Sequence, residues 1–534
     1  MAFEKYRGFN MNNVKILDCT LRDGGYINNW DFGIKKSQII ISLLQQANLD
    51  YIETGFLTEE KSNESQTLFN SFEKVKKFLP EITNKDKLFG MITYSKFSND
   101  LVPDIKDSPL GGLRVIFKKD QKQEALEYCK KIKAKGYKLF INPTFTDQYS
   151  DEELLVLLKE VQSIKPYGIS IVDSMGVMKE KDLLRLYYII DNNLSNDIAL
   201  CFHSHNNLQL SFSNAQCLMK ICTNRELIID STVFGMGRGA GNLCTELITQ
   251  YINDNYNGQY DIVPILKIVD EQINPIFAKT PWGYSVPYYL AATNHCHPNY
   301  AKYLVDKQTV PVEIINKLLK TIPNNKKSTY DSNLIKQIYL DNFSNSIDDN
   351  QVIEKLKITL KNKKILLLAP GKTLTTEKEK INNFINKENP FVTSINFVPK
   401  DYSVNLTFVS NMKRFSSLND FKQELIVTSN IGDIPSDVDV VNYSSYINDS
   451  KLYDNASLMF LKLLLNVGIQ EVFIAGLDGF SPIPTENYVS SELINNGRES
   501  EFDKRNDIMS EELEKFSKQI KLNFITKTKY FKFD

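Results

Sequence analysis

The chain has 534 residues, enough for several hydrophobic cores and a prior of roughly two to four domains. Lysine and arginine number 64 against 65 aspartate and glutamate, a formal net charge of −1, so no overall positive field recruits nucleic acid or an anionic membrane. No apolar run approaches the roughly 20 residues that span a bilayer, MAFEKYRGFNMNN lacks an apolar signal segment, and seven cysteines without a CxxC pair suggest buried thiols. A cytoplasmic protein is expected.

Apolar segments recur regularly through the first half: NVKILD 13–18, LDYIETGF 49–56, KLFGMITY 87–94, GLRVIF 112–117, YKLFIN 137–142, GISIVD 168–173, IALCFH 198–203 and LIIDSTVF 227–234. Between them, IKKSQIIISLLQQAN, QEALEYCKKIKAKG, DEELLVLLKEVQSI, KDLLRLYYIIDNN and LSFSNAQCLMKIC repeat apolar residues every three or four positions, as an amphipathic helix does. Eight such repeats in about 220 residues predict an α/β fold, a closed (β/α)8 TIM barrel over 1–270.

That architecture puts active groups at the C-terminal ends of strands. Arg22 and Asp23 follow the first strand, Glu53 ends the second, Asn142 and Thr144 follow the fifth, Asp173 ends the sixth, and GMGRGAGN 235–242 follows the eighth. Glu53, Asn142, Thr144 and Gly239 are expected to line the substrate. In CFHSHNN, if the seventh strand runs through residue 205, its two-residue period points His203 and His205 the same way. With Asp23 at the same mouth, this mixed N and O donor set suits Mn2+, Mg2+, Zn2+ or Fe2+, which spacing does not separate; Mn2+ or Mg2+ is the expected cofactor.

LDCTLRDGGYINNWDF, IETGF, HSHNN and GMGRGAGN, in this order, resemble the metal-dependent lyase and synthase superfamily. That group includes hydroxymethylglutaryl-coenzyme A lyase, isopropylmalate and homocitrate synthases and 4-hydroxy-2-oxovalerate aldolase, and the resemblance covers about residues 12–300. It implies that Asp23, His203 and His205 hold a divalent ion, that Asn242 completes the ligand set and that Arg22 stabilises enolate oxygen. RDGGYINNWDF is most similar to the aldolase branch, whose catalytic histidine position is occupied here by Tyr26. A tyrosine, with an ordinary pKa near 10, needs a lowered pKa to act as a base. GYS 283–285 is similar to an aldolase segment that sets a tyrosine over the pocket, which implies that role for Tyr284. His295 and His297 in NHCHPNY are further proton-transfer candidates, with a helix stop at Pro298 as the packing explanation.

Residues 271–345 read as helices appended to the barrel, a polar boundary falls within 343–356, and a second, smaller Rossmann-like α/β domain is expected over 355–534. Its strand candidates are KKILLL, FVTSINF, VNLTFVS, ELIVTS, VDVVNY and EVFIAG. APGKTL is not a Walker A loop, because the first glycine of that motif falls at Leu366. The PGK start and GIQEVFIAGLDG resemble bacterial domains related to sialyltransferases and a pterin pyrophosphokinase. This implies a nucleotide or phosphosugar site, for which Lys372, Asn411, Lys413 and Asp478 are candidates.

The expected activity is a divalent-metal aldolase or lyase joining a 2-oxo acid and an aldehyde through an enolate, in a homodimer, with neither nucleic acid nor membrane as partner. A Claisen-type synthase using an acyl-coenzyme A and a 2-oxo acid is the nearest alternative. A carbohydrate-pathway transferase or binding protein with a degenerate barrel is the other.

Overall fold

The computed structural model describes residues 13–531 except 222, 308, 344–346, 419–422, 449–451, 453 and 494–501. Residues 1–12, read above for a signal segment, and 344–346 of the expected boundary lie outside the described residues. The chain forms two compact units, one over 1–299 with 327–329 and the other over 300–326 with 330–534. Thus the helices beyond residue 300, expected as an extension of the barrel, pack mainly within the second unit. Among the described residues, no helix is long and apolar enough to cross a membrane.

Eight strands build the first unit: β1 (Val14–Asp18), β2 (Tyr51–Leu57), β3 (Leu88–Thr93), β4 (Gly112–Phe117), β5 (Lys138–Pro143), β6 (Gly168–Asp173), β7 (Ala199–Ser204) and β8 (Leu227–Ser231). All run parallel, and β1 pairs with both β8 and β2, so the sheet closes into a TIM barrel. A two-residue strand, Leu68–Phe69, lies beside β2. The helices follow local rules: Ser150 and Glu153 form a capping box ahead of Asp151–Ile164, whose Leu154, Leu157, Leu158 and Val161 bury one face. Burying each such side chain contributes roughly 1.5–3 kcal/mol.

Alternation along the strands separates two cores. Ile16, Leu113, Leu200 and Ile229 face the helices, whereas Leu17, Phe89, Phe140, Cys201 and Ile228 form a plug inside the barrel. Two residues further on, the same inward face carries Asn142 after Phe140, His203 after Cys201 and Asp230 after Ile228. The period that fills the barrel bottom with apolar groups therefore delivers polar ones to its mouth.

The second unit holds a seven-stranded parallel sheet: β9 (Ile365–Leu368), β10 (Phe391–Ile395), β11 (Leu406–Val409), β12 (Glu424–Thr428), β13 (Asp439–Val441), β14 (Glu471–Ala475) and β15 (Lys521–Phe524). Their spatial order is β13-β12-β11-β10-β9-β14-β15. The apolar helix Ala456–Asn466 is capped by Asn455, whose side chain accepts from the amides of Ser457 and Leu458. Pro298, expected to stop a helix, instead begins one, Pro298–Lys307. Its missing N–H and fixed φ suit the first helical position.

Candidate active site

The glycine pair after Asp23 has a steric cause. A Cβ at Gly25 would lie 2.0 Å from Cδ1 of Trp30, and one at Gly24 would lie 2.4 Å from the Thr20 carbonyl oxygen. With no side chains there, Trp30 crosses the turn and its indole N–H donates to the Arg22 carbonyl at 2.7 Å. The turn is thereby fixed and both Arg22 and Asp23 are buried at the mouth.

Arg22 donates through Nε to Glu53 at 2.7 Å and through Nη1 to Asp23, and its guanidinium lies 5.7 Å from the Phe56 ring centroid. Glu53, expected to line the substrate, is therefore engaged in orienting Arg22. Burial opposes the Asp23 charge most strongly of any single influence, but Arg22, His205 and His203 act together against it and hold the carboxyl far below its ordinary range. The Asn242 amide also donates to Asp23, at 2.6 Å.

His203 Nε2 and His205 Nδ1 each lie 4.0 Å from an Asp23 oxygen, and potential ligand atoms of the three buried residues fall within 4.8 Å of one another. β7 itself ends at Ser204. His205 sits one residue beyond, in a bridge to Asn242, which still brings it to the cluster. Burial above all pushes His205 down to about 3, against the pull of Asp23, so its imidazole is neutral near pH 7. His205 Nδ1 and Asn242 Oδ1 are buried without hydrogen-bond partners among the described residues. Such lone pairs are costly unless engaged, and a divalent cation held by Asp23, His203, His205 and Asn242 fits them. A second grouping, Cys19 with His203 and Asp230, fits less well. Burial raises the Cys19 thiol well above its ordinary pKa, and its Sγ donates to the Ser231 carbonyl at 3.3 Å.

Three positions beside the cluster were missed in sequence. Asp230 lies 3.1 Å from His203 Nδ1, a contact that leaves Nε2 directed to the cluster. Fully buried Arg114 donates to Asp230 at 2.6 Å and lies 3.5 Å from Glu53. Both sat in plain view as charged residues inside apolar strands, GLRVIF and LIIDS. Arg238 places its guanidinium 5.5 Å over the Tyr26 ring and approaches His297 Nε2 at 3.2 Å.

The remaining candidates divide. Asn142 is buried with an unpartnered Oδ1 among the described residues. Thr144 donates its hydroxyl to the Phe117 carbonyl, and Asp173 accepts from the amides of Val177 and Met178. Both therefore secure loops. Gly239, at φ 72°, allows close approach of Asn207 Oδ1, which accepts from the Ala240 amide. Tyr26 is 44% exposed and packs its ring against Trp30; crowding at the mouth, then Asp23, raise its pKa, the reverse of what a tyrosine base requires. His297 reaches Arg238 and is pushed down to about 3, chiefly by burial. His295 is exposed. Tyr284 is 60% exposed, with its ring toward Tyr289 and no hydrogen bond to the cluster among the described residues.

In the second unit, Asp478 accepts from the amide and hydroxyl of Thr373, clasping the loop after β9 to that after β14. Asn411 caps the short helix Met412–Ser416. Asn411 and Asp478 line one cleft, Lys413 lines its neighbour, and Lys372 lines neither.

A parallel barrel with an arginine, carboxylates and paired imidazoles at its mouth has the anatomy of a lyase-type enzyme. Residues 114–270 match the family described as HMGL-like, a group of aldolases, lyases and synthases. The chain is 22% identical over 272 residues to an oxaloacetate decarboxylase from Mycobacterium tuberculosis, covering 51% of this chain and 79% of that protein. It is 24% identical over 276 residues to a 4-hydroxy-2-oxovalerate aldolase from Pseudoalteromonas translucida, covering 49% and 76%. Among solved structures, the N-terminal domain of an aldolase candidate from Bacteroides vulgatus is 26% identical with a TM-score of 0.47, covering 55% of this chain and 96% of that one.

Proposed function

We propose that the barrel is a divalent-metal-dependent aldolase or lyase that makes or cleaves a carbon–carbon bond of a 2-oxo acid. The observation that supports this most directly is the buried convergence of Asp23, His203 and His205 beside the unpartnered Asn242 oxygen. A divalent ion, Mn2+ or Mg2+, supplies Lewis-acid polarisation of substrate oxygens when bound.

The chain's own groups account for the rest of the chemistry. Arg22, held by Glu53 and Asp23, offers oriented donors to the negative oxygen that develops as an enolate forms. Neither of its described side-chain bonds uses Nη2. With its pKa raised, Tyr26 keeps its proton near neutrality and acts as a hydrogen-bond or proton donor. Trp30 and Phe56 pack ring against ring at 5.9 Å beside it.

Proton exchange tests the reading. After chelation and restoration with Mg2+, the protein should exchange the methyl protons of pyruvate for deuterium in D2O, followed by NMR. Arg22→Ala should slow exchange by about 10²-fold or more, by analogy with loss of an oxyanion donor. His203→Ala with His205→Ala should abolish both exchange and stoichiometric metal in elemental analysis. Exchange that ignores metal, or a double variant with undiminished metal content, defeats the proposal. Exchange of an acyl-coenzyme A only in the presence of a 2-oxo acid supports a synthase instead.

A further inference from the structure

The loop after β8 is pinned on both sides of Arg238. Asn207 Oδ1 accepts from the Ala240 amide at 2.8 Å, the Gly241 amide donates to the Arg238 carbonyl at 3.2 Å, and the Asn242 amide donates to the Gly235 carbonyl at 3.0 Å. Gly237 packs directly on a proposed metal ligand: a Cβ there would lie 2.4 Å from Asn242 Nδ2. The Arg238 backbone is thereby fixed beside the cluster. Its part-buried side chain extends over Tyr26, with the guanidinium 5.5 Å from the ring centroid. Its charge acts on Tyr26, His205 and His297, which places it at the same mouth as Asp23.

The other charges of the mouth are matched, and this one is not. Arg22 is held by Asp23 and Glu53, and Arg114 by Asp230 with Glu53 3.5 Å away. Asp173 is pushed up to about 7 by burial and accepts from the amides of Val177 and Met178. Lys96, the other lysine or arginine whose charge reaches Tyr26 besides Arg22 and Arg238, pairs with Glu60 at 2.6 Å. Among the described residues, no carboxylate lies within ion-pair distance of Arg238. Its contact with His297 is contested. A neutral imidazole has one accepting nitrogen, yet two donors approach this ring: the Asn299 amide at Nδ1, 3.2 Å, and Arg238 Nη1 at Nε2, 3.2 Å. The amide is fixed at the start of the helix Pro298–Lys307, whereas the guanidinium ends a long side chain with five N–H donors. An oxyanion that accepts from that fork removes the conflict and supplies the counter-charge.

Charge balance points the same way. The carboxylates of Asp23, Glu53 and Asp230 oppose the guanidiniums of Arg22, Arg114 and Arg238, so a divalent cation in the cluster leaves the mouth with two positive charges in excess. The carboxylate of a 2-oxo acid answers one of them, and a part-buried charge left without a counter-ion is costly. We infer that the substrate of this barrel carries a second oxyanion, a carboxylate or a phosphate remote from its 2-oxo acid group, and that Arg238 receives it. The inference rests on the proposed reading of the cluster as the seat of the 2-oxo acid, and it makes Arg238 the residue that selects a charged chain end over an uncharged one.

Calorimetric titration of the Mg2+-restored full chain with 2-oxopentanoate, 2-oxoglutarate, 2-oxoadipate and 2-oxo-4-phosphonobutanoate tests it. The first is a monoanion, and the others carry a second charge at the far end, on a carboxylate or a phosphonate. At least one of these three should bind about tenfold or more tightly than 2-oxopentanoate, and which of them does so separates a carboxylate from a phosphate as the natural group. Arg238→Gln should reduce that preference to within about threefold at unchanged metal content in elemental analysis. Arg238→Lys should restore part of it, because an ammonium keeps the charge without the fork. Metal-dependent binding of 2-oxopentanoate as tight as that of every dianion, or a preference undiminished in Arg238→Gln, would overturn this inference and leave the reading of the cluster intact. Binding of none of the four, or binding indifferent to metal, would defeat both.

Discussion

Asp230 stands outside the proposed ligand set and still decides how one ligand is presented. Its carboxylate lies against His203 Nδ1, and Arg114 anchors it from the other side. Burial works against the Asp230 charge, but Arg114 and His203 together outweigh it and keep the pKa low. Asp230→Asn preserves shape while removing the charge that holds the imidazole and balances Arg114. Metal affinity should fall about 10–100-fold, as for other partners behind metal-bound histidines. Competition against a chromophoric chelator measures this, and affinity unchanged within about twofold would show that Asp230 does not act through His203.

The turn after β1 works as an element rather than as a set of independent residues. Gly25→Ala would drive a methyl group into Trp30 and should destabilise the barrel by roughly 1–3 kcal/mol, the usual penalty of overpacking. Trp30→Leu in the same background should recover part of the loss. Denaturant unfolding of the single and double variants checks the coupling, and additive effects would refute it. The sequence made the strand ends legible because buried parallel strands are apolar and of regular length, so Arg22, Asp23 and His203 stood out where the apolar runs stop. His205 was placed by strand continuation but reaches the cluster through a bridge to Asn242. β15, KLNF, went unread because a four-residue, half-exposed strand lacks a distinguishing period. Pro298 misled because proline ends one helix and opens another with the same chemistry. The partnership of Arg114 and Asp230 joins strands far apart in sequence, so local pattern could identify neither partner's role.

At the scale of the molecule, two compact units lead us to expect more than one calorimetric unfolding transition. Mg2+ or Mn2+ at about 100 times its dissociation constant should stabilise the barrel transition by about 2.7 kcal/mol and leave the other in place, with chelator reversing the shift. Equal shifts of both transitions would contradict a metal site confined to the barrel. The closing seam of that barrel also carries a temporal consequence. Cys19 bonds to Ser231, 212 residues later, and Asp23 meets its partner Asn242 across 219. At about 5–20 residues per second of synthesis, β1 emerges roughly 10–40 seconds before β8 can pair with it. Throughout that interval its apolar edge is open to mispairing, so a newborn chain needs either rapid docking of the early βα repeats or chaperone cover until the last strand arrives.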